Sequence, residues 1–181
     1  MNLNPRRVVV GTDGQGQAVI LSDGPNPHTR NFTSTPGLAV ARIWGTRDGL
    51  TTAVPDGEST VAAGPFLPPP GGSTFALIQY APDSVALSPG FDPAAAGAEF
   101  AADSPDMAAS MEPDAPGMHR TDTVDLVVVI SGSIWIEVDG GVETELHAGD
   151  TVVQLGGRHA WRNRSAEPAT LAFVLLGAER V

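Results

Sequence analysis

At 181 residues the chain is long enough to bury one sizeable core. Its 21 acidic against 10 basic side chains leave a formal net charge of −11, which argues against a nucleic-acid or anionic-membrane partner. There is no Cys, and every basic residue is Arg, so disulfides, thiolate ligands, thiolate nucleophiles and Schiff-base catalysis are excluded. Any metal must be held by imidazole and carboxylate.

The 21 glycines and 16 prolines, few aromatics and short Val/Ile-rich runs point to an all-β domain with many turns. The start, MNLNPRRVVVG, carries too short an apolar run for a signal peptide, and no later run approaches a membrane span, so a cytoplasmic location is expected. In chain order, RVVVGT (7–12) and QAVILS (17–22) predict an opening hairpin around DGQG, and LAVARIWGT (38–46) a third strand. PNPHTRNFTSTPG between them reads as loop. Residues 54–73 contain a PPP run that cannot join a central ladder, so a covering loop or edge segment is expected before a strand near 74–81.

Residues 83–117 are rich in Ala, Pro, Asp and Gly. Asp92-Pro93 and Ser104-Pro105 each place a capping side chain before a proline, which predicts one or two short helices, with Met107 and Met111 on one face of the second. Such an insertion reads either as a lid over a pocket or as a surface excursion. From residue 119 a regular pattern begins: DLVVVISG, SIWIEVDG, VETELHAGD, TVVQLGG, HAWRNRS and ATLAFVLLG are short strands between Gly, Asp or Pro turns. That spacing predicts a sandwich or barrel. The organisation is thus one domain over 1–181: N-terminal strands and loops (1–82), an insertion (83–117) and a barrel core (119–177). In the strand 133–140, Ile134, Ile136 and Val138 share the face expected to be core.

Residues 117–177 resemble a cupin. Gly149, the strand 151–154, a turn, then His159 and Asn163 follow the second cupin motif. Gly132 anchors the first, placing Asp125 at the glutamate position, His119 at the first histidine and Thr121 at the second. The resemblance implies a cupin-type antiparallel β-barrel, or jelly roll, with the early strands as an extension. It also implies a site in which His119, Asp125 and His159 are catalytic and form a facial triad for Fe, Zn, Mn or Ni. Thr121 is not a credible ligand for such a metal, so the other reading is a metal-free pocket in which the histidines donate hydrogen bonds or shuttle protons.

Thr121, Arg158, Trp161 and Asn163 are the candidate substrate-binding residues. Arg158, in the turn at the mouth, suits a carboxylate or phenolate, although in so acidic a chain Arg158, Arg162 and Arg164 read more readily as surface ion-pair partners, and Trp161 more readily as core. His28 and His147 read as exposed, and no glycine-rich element has the context of a nucleotide site. The implied function is an enzyme, of dioxygenase, isomerase, decarboxylase, dehydratase or cyclase type. It would act on a small organic acid or an aromatic or polyketide-like carbonyl compound through a pocket centred on His119 and His159. The alternative is a metal-free small-molecule binding protein. The early strands lack a partner in a compact barrel, and a homodimer is expected.

Overall fold

The computed structural model describes residues 2–47, 49, 52 and 65–180. Among these residues eleven strands run β1 (Arg6–Thr12), β2 (Ala18–Pro25), β3 (Thr29–Asn31), β4 (Ala39–Thr46), β5 (Ser73–Tyr80), β6 (Thr123–Ser131), β7 (Ser133–Val138), β8 (Val142–His147), β9 (Thr151–Leu155), β10 (His159–Arg162) and β11 (Ala169–Gly177). Two helices, α1 (Pro93–Asp103) and α2 (Pro105–Ser110), lie between β5 and β6. A six-stranded antiparallel sheet has the order β3-β4-β5-β11-β6-β9, and a three-stranded one the order β10-β7-β8. The two inner faces share one apolar core, with Val127, Val129, Leu171 and Phe173 from the first sheet meeting Ile134 and Leu146 from the second. This is the β-barrel that the strand spacing allowed and the motif resemblance implied.

Strand alternation sets what enters the barrel. In β6, Thr123, Asp125, Val127 and Val129 are buried while Leu126, Val128 and Ile130 face outward and are exposed. In β11, Ala169, Leu171, Phe173 and Leu175 form the matching inward row. Gly132 makes the β6–β7 turn at φ 78°, and a Cβ there would lie 2.9 Å from the Ala169 Cα, so both conformation and space require glycine.

Four details differ from the sequence reading. The segment taken as loop contains β3, which adds an edge to β4 because Thr29, Arg30 and Asn31 pair with Ala41, Val40 and Ala39. Asp92 caps α1 as expected, accepting from the Ala94 and Ala95 N–H groups, but Ser104 makes no side-chain cap for α2. Its hydroxyl instead accepts from Arg42 and donates to Asp103. Met111 lies just past the end of α2. His28 is half-buried, with Nε2 lacking a hydrogen-bond partner. Of the covering loop expected over 54–73, residues 54–64 fall outside the described residues; farther on, Phe66 packs into the core.

The face of β7 expected to be core fades along the strand: Ile134 is fully buried, Ile136 half-buried and Val138 39% exposed. Ile134→Asp should therefore unfold the domain, at a cost on the order of several kcal/mol for a buried unpaired charge. Val138→Asp should leave the thermal midpoint almost unchanged. Equal melting of the two variants would show the inward face of β7 to be misassigned.

Candidate functional site

The two motif halves meet through the main chain. His119, just before β6, and His159, opening β10, exchange both backbone hydrogen bonds at 3.0 and 3.1 Å. Side chains of such a pair stand side by side, and the imidazole centroids lie 4.3 Å apart. Each ring turns Nδ1 toward its own chain: His119 Nδ1 is 2.9 Å from the Gly117 carbonyl, and His159 Nδ1 is 3.0 Å from that of Gly157. Both rings line a cavity of about 220 Å³ inside the barrel.

That cavity is walled by apolar side chains of the six-stranded sheet, including Val40, Ile78, Phe173 and Leu175, with Trp161 beside His159 in an edge-on contact. Its roof comes from the insertion, with Phe100 and Ser104 at the α1 end and Met107 and Met111 from and beyond α2. The insertion is pinned by charge. Glu99 accepts the Thr33 and Ser34 N–H groups, which hold its pKa down at about 2. Arg42 donates to the Asp103 carbonyl, and Asp106 accepts the Leu67 N–H.

Asp125 reaches the same cavity from the inward row of β6. Burial raises its pKa, against the lowering effects of Thr123 and His119, and its Oδ1 is buried with no hydrogen-bond partner. Burial, and then the neighbouring His159, lowers His119 to a pKa of about 4, and burial lowers His159 as well. At neutral pH both imidazoles are uncharged. Thr121 also lines the cavity, with its hydroxyl hydrogen-bonded to that of Thr123 at 2.8 Å.

The remaining candidates are placed elsewhere. Arg158 forms ion pairs with Glu112 and Asp139, Arg162 with Glu137, and Arg164 with Glu143, so the arginine cluster is spent on surface carboxylates. Asn163 is 1% exposed but serves the fold, donating to the Tyr80 and Glu167 carbonyls and accepting from Ser165. His147 is exposed beside Glu145. Among the described residues, no arginine lines the cavity. Nor, among them, do three His, Asp or Glu side chains converge closely enough to hold a metal ion. Asp125 enters the cavity of the two imidazoles without closing a three-ligand group with them, and Thr121 is bonded to Thr123, so the arrangement does not fit the three-ligand centre that the motif implies.

Two residues escaped the sequence reading. Tyr80, at the end of β5, lines the cavity, and burial together with the Asp125 charge raises its pKa, which keeps it a phenol donor. Gln154, on β9, is buried opposite Asp125 and lies 2.6 Å from His159 Nδ1. A polar residue inside the apolar strand TVVQL was the available signal.

The depressed His119 pKa carries a stability consequence. Between pH 6.5 and about 4 the unfolded imidazole holds a proton that the folded one refuses, so stability falls as pH falls through that window. The loss across it is about 3 kcal/mol. His159 adds a slope of the same sign, and Asp125, whose pKa is raised, one of opposite sign. In thermal melts taken across that window, His119→Gln should lose less stability than the parent on acidification; parallel curves would contradict a buried neutral His119.

No protein-family model matches the chain. A segment is 43% identical over 67 residues to oryzines biosynthesis cluster protein J of Aspergillus oryzae (strain ATCC 42149 / RIB 40), covering 36% of this chain and 37% of that protein. Another match, to phomopsin biosynthesis cluster protein C' of Diaporthe leptostromiformis, is 42% identical over 65 residues, covering 35% and 34%. The chain thus matches only about a third of the length of these curated relatives. Among solved structures, a cupin 2 conserved barrel domain protein from Salinispora arenicola CNS-205 is similar at 14% identity and a TM-score of 0.40, over 78% of this chain and 76% of that one. By its own strand order and facing sheets, the described chain is an antiparallel β-barrel around a central pocket.

Proposed function

We propose that the protein is a metal-independent enzyme that moves protons on a small, uncharged, largely apolar carbonyl compound. The observation that carries this reading is Asp125: a buried carboxylate with an unpartnered oxygen, facing an apolar cavity shared with two neutral imidazoles. A carboxylate raised by burial is a stronger base than one in water. In the proposed step Asp125 takes a proton from the carbon next to the carbonyl. The electron pair of that C–H bond forms a C=C bond to the carbonyl carbon as the C=O π pair moves onto the oxygen, where an imidazole N–H or the Tyr80 hydroxyl donates to it. Return of the proton at another position completes an isomerisation. Lack of an arginine among the described lining residues favours a neutral substrate over the organic acid considered from sequence. The biosynthesis-cluster names of the partial relatives accord with a role in small-molecule metabolism.

The test is deuterium wash-in at the α-carbon of small aryl ketones in D2O, followed by NMR, with chelator-treated protein and elemental analysis of the same sample. Treated protein should retain activity, and Asp125→Asn should lose about 100-fold or more. Activity restored only by added Zn, Fe, Mn or Ni would return the site to the metal reading. Thr121→His offers a control: with a third imidazole beside His119 and His159, it should bind Zn or Ni where the parent does not.

A homodimer is proposed on a separate observation. The β1–β2 hairpin pairs with no other strand among the described residues and exposes Val8, Val10 and Ile20. The outer face of β6 and β9 exposes Leu126, Val128, Ile130, Val153 and Leu155. Mutual covering of these rows would remove both from water. Light scattering at micromolar concentration should give twice the chain mass, and the mass of one chain would refute it.

A further inference from the structure

The geometry around Gln154 assigns the two imidazoles different tautomers. Gln154 Nε2 lies 2.6 Å from the Gly157 carbonyl and 2.6 Å from His159 Nδ1, while Gln154 Oε1 accepts the Gly157 N–H at 3.2 Å. An amide nitrogen carries two protons. One goes to the Gly157 carbonyl and the other faces Nδ1. A proton on Nδ1 would set two donors against each other at that distance. Turning the amide over fails too, because its oxygen would then confront the Gly157 carbonyl and its NH2 group the Gly157 N–H. All three amide contacts are satisfied only when Nδ1 of His159 accepts. The 3.0 Å approach of Nδ1 to the Gly157 carbonyl then carries no proton of its own, and the amide donor serves both atoms.

We propose that Gln154 is a positioning residue that holds His159 as its Nε2–H tautomer, opposite to His119. His119 has the Gly117 carbonyl at Nδ1, which takes the Nδ1 proton and leaves Nε2 with a lone pair. The adjacent rings therefore offer the cavity one donor, from His159, and one acceptor, on His119. Asp125 adds a second acceptor close by. The matching ligand carries a carbonyl oxygen for His159 and a hydroxyl or acidic C–H for His119 or Asp125, as a hydroxy ketone or an enolisable diketone does. A protonated Nε2 on His159 also has no lone pair there for a metal. This assignment rests on the acid–base reading above for its chemistry, but the tautomers are measured without substrate.

The experiment is long-range 1H–15N correlation of the histidine side chains in the uniformly 15N-labelled full chain at neutral pH. His159 should appear as Nε2–H and His119 as Nδ1–H. In Gln154→Glu, whose carboxylate can only accept, and in Gln154→Met, which has no donor, His159 should switch to Nδ1–H while His119 keeps its pattern. Parent protein with His159 as Nδ1–H overturns the proposal whether or not the variants fold. So does a folded variant in which His159 remains Nε2–H. Absence of deuterium wash-in with the expected tautomers removes the acid–base reading and leaves the assignment standing; wash-in with His159 as Nδ1–H removes the assignment alone.

Discussion

The reciprocal backbone hydrogen bonds between His119 and His159 are the constraint on which the site depends. They join the segment ahead of β6 to β10, so the six-stranded sheet, which contains β6, is stitched to the three-stranded one at the mouth of the cavity. A hydrogen-bonded antiparallel pair leaves its two side chains no choice but to be neighbours. Burial disfavours protonation of both imidazoles, and at 4.3 Å His159 adds to that effect on His119.

Around that stitch the barrel accepts a local cost. Asp125 stands in the same inward row as Val127 and Val129, where a carboxylate oxygen without a partner is unfavourable. The rest of the core supplies the apolar burial that offsets it. Buried polar groups of this kind concentrate where a protein meets a ligand, because a ligand can complete what the fold leaves open. The Thr121–Thr123 hydroxyl pair and the Gln154 amide, by contrast, are satisfied within the chain.

The roof follows a different logic. Neither α1 nor α2 contains a fully buried residue, although Phe100 and Met107 pack half-buried against the core, so burial seats the helices in part. Their anchors are polar: Glu99 on the Thr33 and Ser34 amides, Asp106 on the Leu67 amide, Arg42 on Asp103 and Ser104, and Arg158 on Glu112 beyond the second helix. The apolar groups that the insertion brings, Phe100, Met107 and Met111, face the cavity. Methionine adapts its shape at little cost, which suits a roof over ligands of varied outline.

Most of the barrel was legible in the sequence because strand alternation and glycine turns are local signals. The turn at Gly132, the Asp92 cap and the inward parity of Asp125 could be placed from neighbours in the chain. So could the two histidines as members of one site, since their spacing from Gly132 and Gly149 follows motif order. Hydrogen-bond partners were decided only by tertiary structure, because they come from distant strands. Arg158 turns to Glu112 and Asp139, and Asn163 to Tyr80 and Glu167, instead of to the pocket. Gln154 entered the site because β9 pairs with β6, and Tyr80 because β5 lies beyond β11 in the same sheet: a sequence states which residues a strand turns inward, whereas the sheet order states what they meet.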